Sequence, residues 1–342
     1  LSIDNLATIL SDQDRHKEAE PLIIRALGIR EQLLENDSTT LATSLNNLAK
    51  HYEALGKYKD AEPLLKRALK IYEKQTTNNP SGLSVSLNNL AVNYSHQGEY
   101  LDAERLYRRA LLLAEKFLGS VHANTAFSIA NLAENLDDQG RFDEAEIYHK
   151  KALEIRKKLF SPEHPDLATS LNNLGKNYAI RGQFIKAESL LRRALAMRER
   201  VLSQNHRDIS DSLNNLALVF ESQGNFKEAE LFIRRSLEIA ESQLGQNHPV
   251  TGKRLNNLGL IINNQGRYAE AETIYKRALD ISKNSYGPSH PDVAITLNNL
   301  ALTFDEQGKY SEAKKMYGRA LSITRIALGD NHRSTAISVN NL

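Results

Sequence analysis

An asparagine returns every 42 residues along this chain, at Asn5, Asn47, Asn89, Asn131, Asn173, Asn215, Asn257, Asn299 and Asn341. A side-chain amide offers two N–H donors and a carbonyl acceptor. A row of them on one face could bond the backbone of an extended peptide, a contact that tolerates many sequences. Asparagine costs a helix about 0.5–0.7 kcal/mol relative to alanine, yet all nine copies keep it while nearby positions vary. One turn on, the chain reads Lys50, Val92, Glu134, Lys176, Leu218, Leu260 and Leu302. One turn back it reads Thr43, Val85, Phe127, Thr169, Asp211, Lys253 and Ile295. Constancy amid variation points to a task of its own for the asparagine. Recent duplication of the repeat, or a bond to the next repeat, would leave the same row. The preceding position (Asn46, Asn88, Asn172, Asn214, Asn256, Asn298) lies on the flank of the same face and reads as a bond to a neighbouring helix.

Other reactive side chains are placed by the same period. His122, His164, His206, His248, His290 and His332 precede successive helices, often with proline after them. Copies one repeat apart would stand roughly 20 Å from each other, at 8–10 Å per helix contact. That is too far to share a metal ion, so they read as loop caps. The phosphate-binding pattern G-x-x-x-x-G-K, the dinucleotide pattern G-x-G-x-x-G and the zinc pattern H-E-x-x-H are all missing. Cysteine is missing as well, which removes disulfides, thiolate catalysis and cysteine-held metals. No enzyme, cofactor or metal site is expected. The copy that departs most inside the array has Ala130 for asparagine, with Phe127, Glu134, Asp137 and Asp138 nearby, and is expected to carry an acidic surface patch on the asparagine-bearing face, either a specificity site or a solvated helix end.

Amphipathic helices must hold these residues. Leu45, Leu48, Ala49 and Tyr52 are spaced i, i+3, i+4, i+7, the apolar stripe of a helix, here termed A. On a wheel of 100° per residue, Asn47 points almost opposite that stripe. Helix A ends at Gly56, with matching glycines at Gly98, Gly140, Gly182, Gly224, Gly266 and Gly308. An aromatic follows two residues later, from Tyr58 to Tyr310. A second helix, B, carries Ala61, Leu65, Ala68, Leu69 and Tyr72 on its apolar face, and its small alanines permit close packing. Pairs such as Glu62–Lys66 and Glu104–Arg108 have the i, i+4 order that supports a helix by about 0.2–0.5 kcal/mol each. The fold expected is all-α, a stack of helix–turn–helix units.

The period divides 342 residues into eight units with six left over, so both ends fall inside a helix A and the chain is expected to be a piece of a longer one. The 44 basic and 42 acidic residues leave a formal net charge of +2, which gives little global pull towards nucleic acid or an anionic membrane. No apolar run is long enough to cross a bilayer, and the first residues show neither a basic start nor a small-residue cleavage site, so no signal peptide is expected in them. The expected location is cytoplasmic.

Leu45, Leu48, Ala49, Tyr52, Ala61, Leu65 and Ala68 resemble the signature of the tetratricopeptide repeat (TPR). Tryptophan is absent and Glu73 stands where proline commonly closes helix B, so helix B runs on and the period lengthens to 42. His164-Pro165, Leu171-Asn172-Asn173-Leu174, Ala187-Glu188 and Arg193-Ala194-Leu195 together are similar to the repeats of kinesin light chains. The resemblance implies one right-handed superhelical solenoid over residues 1–342, of about eight helix–turn–helix TPR units. It also implies a protein-interaction scaffold whose concave groove holds an extended peptide of a partner on Asn47, Asn89, Asn131, Asn173, Asn215, Asn257 and Asn299. Lys253 on helix A, and Arg30, Arg156 and Arg198 on helix B, match groove positions of that family. Lys50 and Lys176 would favour acidic ligand residues, whereas Leu218, Leu260, Leu302 and Ile295 would favour apolar ones. A self-assembling array whose groove holds another copy or a domain of its own parent chain, with self-association also open to the uncapped ends, or a sensor region of a larger signalling protein is the alternative reading.

Overall fold

The computed structural model describes residues 6, 10, 16–33, 37–55, 57–75, 79–330 and 333–341. Sixteen helices and no strand occur among the described residues. The A helices are Thr39–Ala54, Pro80–Gln97, Ala123–Asp138, Pro165–Ile180, Arg207–Ser222, Pro249–Asn264 and Pro291–Glu306. The B helices are His16–Leu33, Tyr58–Lys74, Tyr100–Leu118, Phe142–Leu159, Phe184–Val201, Phe226–Leu244, Tyr268–Tyr286 and Tyr310–Leu328. A last A helix spans Arg333–Asn340. Asn5, Gly56 and His332, singled out in the sequence, lie outside the described residues. The fold is an all-α solenoid of helix–turn–helix repeats. Its helices group into two compact units, Leu1–Asn135 and Leu136–Leu342.

Local chemistry sets the helix ends. Nδ1 of His164, His206, His248 and His290 accepts the backbone N–H two residues on, at 3.1–3.2 Å, and so caps an A helix. His122 makes the same bond to Asn124 at 3.1 Å. Proline follows at Pro165, Pro249 and Pro291, where its fixed φ and missing N–H cost nothing. At the other end Gly182 takes φ 73°, and the Gln183 N–H reaches back to the Tyr178 carbonyl at 2.9 Å. That reversal places Phe184 at the first turn of the next B helix, and every aromatic of its register opens a B helix in this way.

Each B helix packs on the A helix before it through small residues. In the second unit, Ala187, Leu191 and Ala194 are wholly buried against Leu171, Leu174 and Tyr178 in one continuous core. A Cβ on Gly175 would come 2.8 Å from Leu191 Cγ, so the two helices touch there backbone to side chain. In the first unit the core is built the same way, from Leu41, Leu45, Leu48, Ala68 and Tyr72. The six i, i+4 pairs of Glu with Lys or Arg on helix B all form, at 2.6–2.8 Å.

Candidate functional site

In the second unit four successive A helices line one open cavity of 710 Å³. The 42-residue period puts equivalent residues at the same height on each helix. Asn173, Asn215 and Asn257 therefore stand in a row along the cavity, each half-buried. Lys176 and Leu218 line it one turn on, and Lys253 and Ile295 one turn back. Ile180 and Phe184 add apolar surface at one side. Asn299, Leu260 and Leu302 belong to the same unit outside this lining, with Asn299 and Leu260 half-buried and Leu302 exposed. In the first unit Asn47 and Lys50 are exposed, and Asn89 and Asn131 are half-buried.

The asparagines bond to one another across repeats. Asn257 Nδ2 donates to Asn214 Oδ1 at 2.7 Å, and Asn214 Nδ2 donates to Asn215 Oδ1 at 3.2 Å. Asn215 Nδ2 donates to Asn172 Oδ1 at 3.2 Å, and Asn172 Nδ2 donates to Asn173 Oδ1 at 3.3 Å. Asn299 donates likewise to Asn256, at 3.2 Å. The inner members Asn172 and Asn214 are buried, at 5% and 6% exposure. Asn215 and Asn257 each still have an N–H and a lone pair to spare, since an amide has two of each. The sequence exposes both rows of asparagine but not the bonds between them. Their adjacency is the one signal of it.

Two cations of the cavity lining, Arg254 and Lys253, are paired with carboxylates. Arg254 stands where the other described copies have serine or threonine, and burial lowers its pKa while the Asp211 carboxylate it bonds supports the charge. Lys253 Nζ lies 3.0 Å from Asp292. Burial pushes the Glu221 carboxyl above the ordinary range, against hydrogen bonds from Ser222 (3.2 Å) and Asn264 (2.7 Å).

Two expectations are corrected. Arg156 and Arg198 are turned into the array, at 5% and 3% exposure. Arg156 bonds Ser170 Oγ at 2.7 Å. Arg198 bonds Ser212 Oγ and the Asp208 carbonyl at 2.8 Å and Thr169 Oγ1 at 3.1 Å. A guanidinium at this depth keeps its charge only with such partners, so both residues tie a B helix to the next A helix. Arg30 does the same with Ser44 in the first unit, at 2.5 Å. Asp137 is no part of a surface patch either. It is 6% exposed and lies 2.8 Å from His149 Nε2, and its other oxygen accepts from Asn177 at 2.7 Å. Among the described residues, no three His, Asp or Glu side chains converge as metal ligands, and no helix is long and apolar enough to cross a membrane.

Comparison with known proteins gives the family and the fold. The family model described as tetratricopeptide repeat matches residues 1–74, 83–158, 127–200, 166–242, 208–261 and 251–326. Among curated proteins none matches the chain. A solved structure of a Rap protein complexed with Competence and Sporulation Factor aligns with 100% of this chain and 96% of its own, at 17% identity and a TM-score of 0.66. The apo form of RapI aligns with 79% of this chain and 95% of its own, at 21% identity and a TM-score of 0.59. A candidate kinesin light chain of Podosopora anserina, with nearly identical TPR-like repeats, aligns with 61% of this chain and 98% of its own, at 24% identity and a TM-score of 0.47.

Proposed function

The chain belongs to the tetratricopeptide repeat family, and from that premise we propose that it is a protein-interaction scaffold which holds an extended peptide segment of a partner along the asparagine-lined cavity of its second unit. The observation that carries this reading is the row of Asn173, Asn215 and Asn257 along one 710 Å³ cavity, three amides at one register on three stacked helices. A peptide backbone presents N–H and C=O groups at regular steps, and the spare valences of Asn215 and Asn257 answer both. Such contacts carry little sequence information, so selectivity rests on the variable neighbours. Leu218, Ile295 and Ile180 suit apolar anchors, and Lys176 suits an acidic residue. Leu260, Leu302 and Asn299 extend the apolar face and the row towards the C-terminus. Asn47, Asn89, Asn131 and Lys50 repeat the chemistry in the first unit. Lys253 serves with its Asp292 partner as a paired charge at the rim.

A peptide-library screen against the 342-residue chain tests the reading, with Asn173→Ala/Asn215→Ala/Asn257→Ala as control. Selected peptides are expected to bind the parent chain and to lose binding on the triple variant, whose helical circular dichroism stays the same. Equal affinity for both proteins sinks the proposal. Sedimentation at several concentrations reports separately on self-association, the competing use of the same surface.

A further inference from the structure

We infer that the buried asparagines Asn172 and Asn214 are positioning residues that fix which way the groove amides face, so that the ligand row is set before any ligand arrives. The inference rests on the peptide-binding reading and assigns a role to the two inner amides that lie buried at the base of the cavity lining.

The geometry is a relay with one sense. Asn214 Oδ1 takes the N–H of Asn257 from one repeat on, and Asn214 Nδ2 gives to Oδ1 of its own neighbour Asn215. Asn172 does the same between Asn215 and Asn173. Turning the Asn214 amide over would set donor against donor at Asn257 and acceptor against acceptor at Asn215. One flip therefore costs two bonds, and each inner amide holds its neighbours against flipping. Bonds of this kind reinforce one another along a chain. Ser212 Oγ supports the same sense by donating to Asn172 Oδ1 at 3.3 Å.

The first unit supplies the contrast. Asn88 Nδ2 there donates to Ser128 Oγ at 2.8 Å and to the Ser84 carbonyl at 3.0 Å, which is the opposite sense. Asn88 Oδ1 and Asn46 Oδ1 are buried without a hydrogen-bond partner. Ala130 occupies the inner position of the next copy, and beside it Asn131 Nδ2 is also buried without one. The relay thus runs unbroken from Asn257 to Asn173 along the cavity and is open at these residues of the first unit and, in the second unit, at Asn298, whose Nδ2 donates to Ser338 Oγ at 2.8 Å while its Oδ1 is buried without a partner. Ala130 also shows that the fold accepts alanine at this register.

The test measures a selected peptide on the full chain and on Asn214→Ala, on Asn215→Ala/Asn257→Ala and on the triple combination. Alongside, side-chain amide exchange of Asn215 and Asn257 is followed by NMR without peptide. Asn214→Ala is expected to weaken binding about ten-fold, the worth of one hydrogen bond at the upper end of its usual range. On the background lacking Asn215 and Asn257 it is expected to change affinity no further. The amide protons of Asn257, which lose their acceptor Asn214 Oδ1, should exchange faster in the variant, and those of Asn215, still held by Asn172 Oδ1, should change less. An equal loss on both backgrounds, an unchanged affinity, or unchanged amide exchange at Asn257 overturns the inference. If the parent chain binds no peptide, the peptide reading falls, and the exchange arm still decides whether Asn214 holds the Asn257 amide.

Discussion

Glu53 makes a quantitative test of how the first unit is assembled. Its carboxylate sits near the end of the A helix Thr39–Ala54 and accepts a hydrogen bond from Asn93 Nδ2 at 3.1 Å. Burial pushes its pKa from the ordinary 4.5 up to about 7, against that bond and the nearby charge of Lys50. An acid whose folded pKa is raised holds its proton in the folded chain and releases it in the unfolded one. Its contribution is therefore complete below pH 4.5, falls away as pH rises, and is lost above about 7. A shift of that size is worth about 3 kcal/mol. Glu53→Gln keeps the shape and the acceptor for Asn93 and removes only the charge. Urea denaturation of the two proteins is expected to coincide near pH 4, diverge through pH 5–7, and leave the variant about 3 kcal/mol more stable at pH 8. Hydrogen exchange within residues 39–54 localises the change. A constant difference between the two proteins at every pH would refute the reasoning, because it would mean that Glu53 titrates alike folded and unfolded.

Gly259 and Gly28 are both helical glycines, and alanine should have opposite effects at them. At Gly259 the new Cβ would meet the wholly buried Tyr275 ring at 2.7–2.9 Å, so Gly259→Ala should lose about 1–2 kcal/mol after its gain in helix propensity. At Gly28 nothing lies within 4 Å, so Gly28→Ala should gain up to about 1 kcal/mol, read by denaturant midpoints of the two variants. Arg198→Ala strands Ser212, Thr169 and the Asp208 carbonyl, and should cost about 3 kcal/mol, seen as faster hydrogen exchange in the helix Arg207–Ser222. Arg198→Met keeps the stem and removes the charge along with its desolvation cost, so it should recover part of that loss.

The sequence legibly encodes what depends on spacing along one helix. Leu45, Leu48, Ala49 and Tyr52 name a buried stripe by their intervals alone, and the Gly182–Phe184 punctuation marks where one helix ends and the next begins. The row of Asn173, Asn215 and Asn257 is visible for the same reason, since a constant period puts equal residues at equal heights. Contacts that join residues 10 to 43 positions apart are not visible in that way. A helical wheel shows that Asn172 and Arg198 lie on a flank, but not that Asn172 meets Asn215 or that Arg198 reaches Ser212. The buried Asp137–His149–Asn177 group was hidden because each member reads alone as an ordinary surface residue. His149 carried the only cue, by standing where other copies have leucine, isoleucine or tyrosine.

The central claim is that ligand lies in the cavity of the second unit. A photo-reactive amino acid placed at Leu218, which lines that cavity, tests it against the same group placed at Leu231, which is 70% exposed on the B helix Phe226–Leu244 and outside the lining. A selected peptide is expected to cross-link at position 218 and not at 231, and to be displaced by excess unmodified peptide. Cross-linking at 231, or at neither position by a peptide that binds, would contradict the account.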